Sequence, residues 1–144
     1  MPKTSMLYRM WGIVRRPIVK TWSKRITLPW DMARPGSSAL DAAYTRSLAA
    51  ETAVRNGEQV GCILWDFTTF FDQLRIEVLV DNASELGFPM IDLILGMQMH
   101  TAPRTLMILG AVSSVIVPWK SILPGCGLAI DFARAYVKPG SPFW

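Results

Sequence analysis

The stretch Val60-Gly61-Cys62-Ile63-Leu64-Trp65-Asp66 constrains this chain more than any other: a charge-free apolar run ends abruptly in a carboxylate. The aromatic pair Phe70-Phe71 and a second carboxylate, Asp72, follow within six positions of Asp66. A run of this length and composition reads as a buried strand from Val60 to Trp65. A strand that closes on an aspartate holds that carboxylate rigidly at a sheet edge, a good position for a hard-metal ligand. The simpler reading of Asp66 by itself is a cap for the next helix, so the rest of the chain has to decide.

The other elements follow from periodicity and turn residues. Leu7, Met10, Trp11, Val14, Ile18 and Trp22 recur at three-to-four spacing and predict a helix from Ser5 to Trp22, with Pro17 marking a break or kink. Leu28 to Gly36 is a loop, and Ser38 with Asp41 forms a capping box that opens a helix running to Asn56, closed by Gly57. Leu40, Tyr44 and Leu48 would be its buried face, and Arg46, Glu51 and Arg55 its solvated one. Ile76, Leu79, Val80, Ala83 and Leu86 predict a further helix stopping at Gly87-Phe88-Pro89. Met90 to Met99 is apolar nearly all round, which predicts burial on several sides with Met97 and Met99 as core filler.

Beyond this point the period changes. Arg104–Leu109 and Ser114–Trp119, separated by Gly110-Ala111, predict a hairpin, although not one with a strong two-residue turn signal. Leu123 to Gly127 is a glycine-containing loop leading to a helix from Leu128 to Val137. The tail 138–144 has no periodic pattern. These elements define one α+β domain over residues 1–137, in which a small antiparallel sheet, built from Val60–Trp65 and the 104–119 hairpin, is covered by helices on one face.

Composition narrows the function classes. A hydrophobic share of 51% against 18% charged residues argues against disorder and predicts apolar surface that packs on further polypeptide. The 15-residue uncharged run Thr105–Trp119 contains Pro118 and falls short of the ~20 residues that cross a bilayer, so no membrane partner is expected. Lys3, Arg9, Arg15 and Arg16 interrupt any signal-peptide core, which points to an intracellular protein. Cys62, Cys126 and a sole histidine, His100, supply no zinc spacing and no nucleophilic triad. His100 is expected to be an ordinary, partly exposed side chain.

Charge is unevenly distributed. Residues 1–34 hold eight bases against Asp31 alone, a net +7, whereas the remainder holds seven bases and ten acids, a net −3. Tyr8, Trp11 and Trp22 are interleaved with the bases. That pattern suits nucleic-acid contact through Arg15, Arg16, Lys20 and Arg34, with Arg104 as a further candidate, and equally suits an amphipathic helix with its aromatics in the core.

The order of these elements, with Arg34-Pro35-Gly36-Ser37-Ser38-Ala39 before the strand and Trp65-Asp66-Phe67-Thr68-Thr69-Phe70-Phe71-Asp72 at its end, resembles a reverse transcriptase of retrotransposons lacking long terminal repeats. The family's first palm motif has an Asp, then an aromatic five positions on and a second Asp six positions on, as at Asp66, Phe71 and Asp72. Gly87-Phe88-Pro89, Arg104, Gly110 and Pro124-Gly125-Cys126 fall in the family's order, and the likeness spans Tyr8 to Val137.

The resemblance implies a partial fingers–palm fold and nucleotidyl transfer from dNTPs to a primer 3′-hydroxyl by two-metal chemistry with Mg²⁺ or Mn²⁺. It implies Asp66 and the backbone carbonyl of Phe67 as metal ligands, Phe71 beneath the sugar and Gly125 at the nucleotide. Asp72 would be a helix-capping or loop-fixing carboxylate. The implied partners are an RNA template, a DNA primer and dNTPs, together with the thumb and remaining palm segments that this sequence lacks. Two departures matter. Pro124 stands where the family has the glutamine that contacts the nucleotide, and Lys138–Trp144 contains no Asp or Glu to supply the Asp-Asp pair. Asp131, inside the last helix, is not at a hairpin tip and does not replace it. The expectation is a fragment unable to polymerise alone, or a noncatalytic nucleic-acid- or partner-binding relic.

Overall fold

A computed structural model describes residues 5–28, 31–62, 68–123 and 125–137. The chain divides into two compact units, Met1–Ile26 with Thr69–Trp144, and Thr27–Thr68. The first unit contains the core. Its helix α1 spans Met6–Ile26 and continues through Pro17, where a break or kink was expected. The carbonyl that Pro17 leaves without its usual N–H donor belongs to Ile13, and both residues are exposed.

The stripe that α1 buries is rotated from the expected one. Tyr8, Trp11, Val19, Trp22 and Ile26 pack into the core, while Leu7, Met10, Val14 and Ile18 remain exposed. Arg15 sits in the buried stripe and donates to both carboxylate oxygens of Asp92, at 3.0 and 2.8 Å. A long basic side chain with a partner inside the fold therefore occupies a position that hydrophobic periodicity assigns to solvent.

Helices α3 (Phe70–Gln73), α4 (Ile76–Glu85), α5 (Met90–Thr101) and α6 (Ala129–Tyr136) complete the helical part of this unit. Helix α4 ends as its sequence predicts. Gly87 adopts φ +64°, its N–H reaches the Ser84 carbonyl, and the Phe88 N–H reaches that of Ala83, a Schellman closure. Phe88 then turns inward against Trp22, with ring centroids 4.5 Å apart. Helix α5 is buried along Asp92, Leu93, Gly96, Met97 and His100, but Met90, Ile91, Ile94 and Leu95 are exposed, so burial is confined to one side. Close packing explains Gly96: a Cβ there would lie 2.5 Å from Phe132 Cζ, so only glycine lets α5 accept the Phe132 ring. Asn82 donates to the Tyr136 carbonyl and closes the end of α6 against α4.

The sheet is smaller than expected. Among the described residues it consists of β1 (Met107–Ile108) and β2 (Ala111–Val112), antiparallel, with Ile108 opposite Ala111. The turn is Leu109-Gly110, both at positive φ, which is the two-residue geometry that matches strand twist, although the sequence placed the break at Gly110-Ala111. Helices do not cover this hairpin: Met107, Ile108, Leu109 and Val112 are all exposed. Val60, Gly61 and Cys62 are exposed and pair with no strand among the described residues, which corrects the expected buried strand at its start. The remainder of that strand lies outside the described residues, as does the tail 138–144.

In the second unit, α2 (Ala39–Arg55) has the predicted boundaries. Ser38 Oγ accepts from the Asp41 N–H and Asp41 accepts from the Ser38 N–H, a complete capping box. Gly57 at φ +81° closes the other end. The expected buried face is absent, because α2 has no buried residue and Leu40 is 77% exposed, with Tyr44 and Leu48 exposed as well.

Candidate functional site

The first unit contains a cleft of about 130 Å³ between α1 and the loop before α6. Tyr8, Arg9, Gly12, Ile13 and Arg16 line it from the helix, and Gly125, Gly127 and Leu128 from the loop. Successive turns of α1 place Arg9, Gly12 and Arg16 near one face, since residues three, four and seven apart lie above one another. The loop takes its shape from Gly125 at φ +83° and from the Ala129 N–H bonding the Cys126 carbonyl. Arg16 and Gly125, assigned on different grounds to nucleic-acid and nucleotide contact, thus share one cleft.

Behind the cleft wall lies a buried polar cluster that sequence reasoning missed. The Tyr8 hydroxyl is 3.2 Å from Cys126 Sγ, and the Leu128 N–H donates to the same sulfur. Burial pushes the Tyr8 phenol above its ordinary value, and its contact with Cys126 adds to the effect. Burial likewise raises the Cys126 thiol, so Cys126 is a neutral structural group and not a nucleophile.

His100 is 1% exposed, which corrects the expectation of a partly exposed side chain. Its Nδ1 accepts from the Leu123 N–H at 3.0 Å, so the neutral ring carries its proton on Nε2, an atom with no hydrogen-bond partner among the described residues. Burial, followed by the charge of Arg104, lowers its pKa to about 4. A single histidine between an apolar helix and Ala102-Pro103 gave no sign of this. The signal lies in the loop, whose Leu123 N–H needs an acceptor.

The remaining candidates are dispersed. Arg15 is committed to Asp92, which is 0% exposed. Arg104 Nη2 donates to the His100 carbonyl, and its backbone pairs with Ile116. Lys20 is exposed on α1. Arg34, in the second unit, donates to Ser37 Oγ at 3.1 Å. Phe70 packs against the core and Phe71 stands outside it, 37% exposed, with ring centroids 5.4 Å apart. The Phe71 carbonyl accepts from the Ile122 N–H, which ties this segment to the start of the glycine loop. Asp72 lies exposed in the first turn of α3, whose cap Thr69 makes no side-chain hydrogen bond.

Asp66, Phe67 and Pro124 lie outside the described residues. Among the described residues no three His, Cys, Asp or Glu side chains converge. Asp131 is turned toward Arg134, at 3.3 Å, and burial raises its pKa. Also among the described residues, no helix is long and apolar enough to cross a membrane. No family model matches the chain, and comparisons with curated proteins and with solved structures find no match either.

Proposed function

We propose that this chain is a piece of an RNA-directed DNA polymerase of the retrotransposon type, a partial fingers–palm segment that contacts nucleic acid but does not polymerise by itself. The observation that supports this reading best is the order of elements. The Asp66–Phe71–Asp72 spacing is followed by α4 closed at Gly87, then α5, a hairpin and a glycine loop entering α6. On this reading Phe71 faces the sugar of an incoming dNTP, and its exposure beside the partly buried Phe70 leaves it accessible for that contact. Mg²⁺ or Mn²⁺ belongs to an assembled site in which Asp66 and the Phe67 carbonyl are joined by further carboxylates. The RNA template and DNA primer meet the basic α1.

A second reading, a noncatalytic nucleic-acid-binding protein, is favoured by the cleft, which Arg9 and Arg16 line. Binding and primer extension on an RNA template with Mg²⁺ test what the two readings share, nucleic-acid contact without polymerisation. The chain alone is expected to bind the RNA–DNA hybrid without extending it. Extension that disappears in Asp66→Asn would overturn the claim that its site is incomplete, and failure to bind the hybrid at low salt would remove both readings.

A further inference from the structure

Two glycines lie inside helices of the first unit for different reasons. Gly96 is required by packing, because a Cβ there would overlap Phe132. Gly12, in the middle of α1, is not: a Cβ at that position meets nothing within 4 Å. Glycine in a helix interior is destabilising relative to alanine, and neither a turn nor a close approach explains it here. What its bare backbone does is open the cleft, which Gly125 and Gly127 leave open from the facing loop, again with nothing within 4 Å of a built Cβ.

The cleft is apolar at its walls and basic at its rim. Ile13, Leu128 and the ring of Tyr8 form the walls, with Tyr8 backed by Trp11 at 5.6 Å between ring centroids. Arg9 and Arg16 are exposed, and their side chains make no hydrogen bond or ion pair among the described residues, although Arg16 is close enough to lower the pKa of Asp131. They stand seven residues apart on one helix, about 10 Å along its axis. Size suits a small flat occupant: a cavity of ~150 Å³ holds a benzene ring, and the cleft measures about 130 Å³. A flat, uncharged ring flanked on both sides by anions is the repeating chemistry of a single-stranded nucleic acid.

We propose that the cleft between α1 and the glycine loop seats one base of a single-stranded nucleic acid, with Arg9 and Arg16 engaging the phosphates on either side. This rests on the nucleic-acid reading above and adds to it a base pocket of the chain's own. Tyr8 supplies the stacking surface, held in place by its hydroxyl on Cys126. The walls present a ring face and aliphatic groups to the base, and their spacing favours a single-ring pyrimidine.

The test compares a short fluorescein-labelled oligothymidylate with an abasic deoxyribose-phosphate chain of equal length, by anisotropy on the full chain. Base stacking predicts that the oligothymidylate binds about fivefold or more tightly. Gly12→Leu fills the cleft from the helix and Gly127→Leu from the loop. Each is expected to bring the ratio near one, with circular dichroism confirming the fold; Leu7→Ser, on the exposed face, keeps the ratio. Equal binding of both chains in the wild type, or a ratio untouched by both leucine variants, overturns the base pocket while leaving nucleic-acid binding intact. Absence of binding to either chain overturns the nucleic-acid reading itself. Displacement by polyglutamate as effective as by unlabelled oligothymidylate also overturns the pocket, since it shows that charge alone is read.

Discussion

Helices α2 and α6 are opposites. The first is long, is closed at its N-terminus by a complete capping box and at its C-terminus by a glycine, and has no fully buried residue. The second has eight residues, makes no side-chain cap bond, and buries Phe132 and Ala135 completely. Local hydrogen bonding therefore determines where a helix starts and stops, whereas packing determines whether it contributes to a core. The apolar residues of α2 are an unsatisfied surface, and those of α6 are the centre of its unit.

That contrast predicts very different responses to substitution. Phe132→Ala empties the place where α5 and α6 meet and should cost about 3–5 kcal/mol in urea unfolding; a loss under 1 kcal/mol would show that α6 is not central. Protonation of His100, which lies against Phe132, is the next largest effect. Its folded pKa of about 4 lies below the ordinary 6.5, so between these values the unfolded chain binds more protons and stability falls as pH falls. The loss should reach about 3 kcal/mol by pH 4 and be absent above pH 7. His100→Asn should flatten the profile in that window. Asp131, whose pKa is raised, contributes with the opposite sign above the ordinary carboxylate range.

Smaller effects sharpen the comparison further. Gly96→Ala forces a methyl toward Phe132 and should cost about 1–3 kcal/mol, while Gly12→Ala should be neutral or stabilising. Ser38→Ala removes the α2 cap and should cost about 1 kcal/mol of helix stability, read as faster amide exchange in α2 with the core of the other unit unchanged.

Much of this fold was legible because its signals are local. Ser38, Asp41, Gly57 and Gly87 each specify one backbone geometry, and each appears where it was read. The faces were less legible. Two apolar stripes run along α1, and the buried one carries Arg15, whose partner Asp92 lies 77 residues away. The cleft was half visible, through Arg16 and Gly125. Arg9 and Gly12 were not read as site residues, because a gap left by a missing side chain has no sequence pattern. Likewise, nothing local marks His100, Tyr8 and Cys126 as neighbours.

The most direct test of the account is the salt dependence of binding to an RNA-template–DNA-primer hybrid, measured for the wild type, Arg16→Ala and Lys20→Ala. If α1 binds the phosphate backbone, log K falls steeply with log[salt], and each substitution removes about one unit from the slope while thermal stability stays unchanged. A flat salt response, or slopes identical in all three proteins, would contradict the claim that this helix faces nucleic acid.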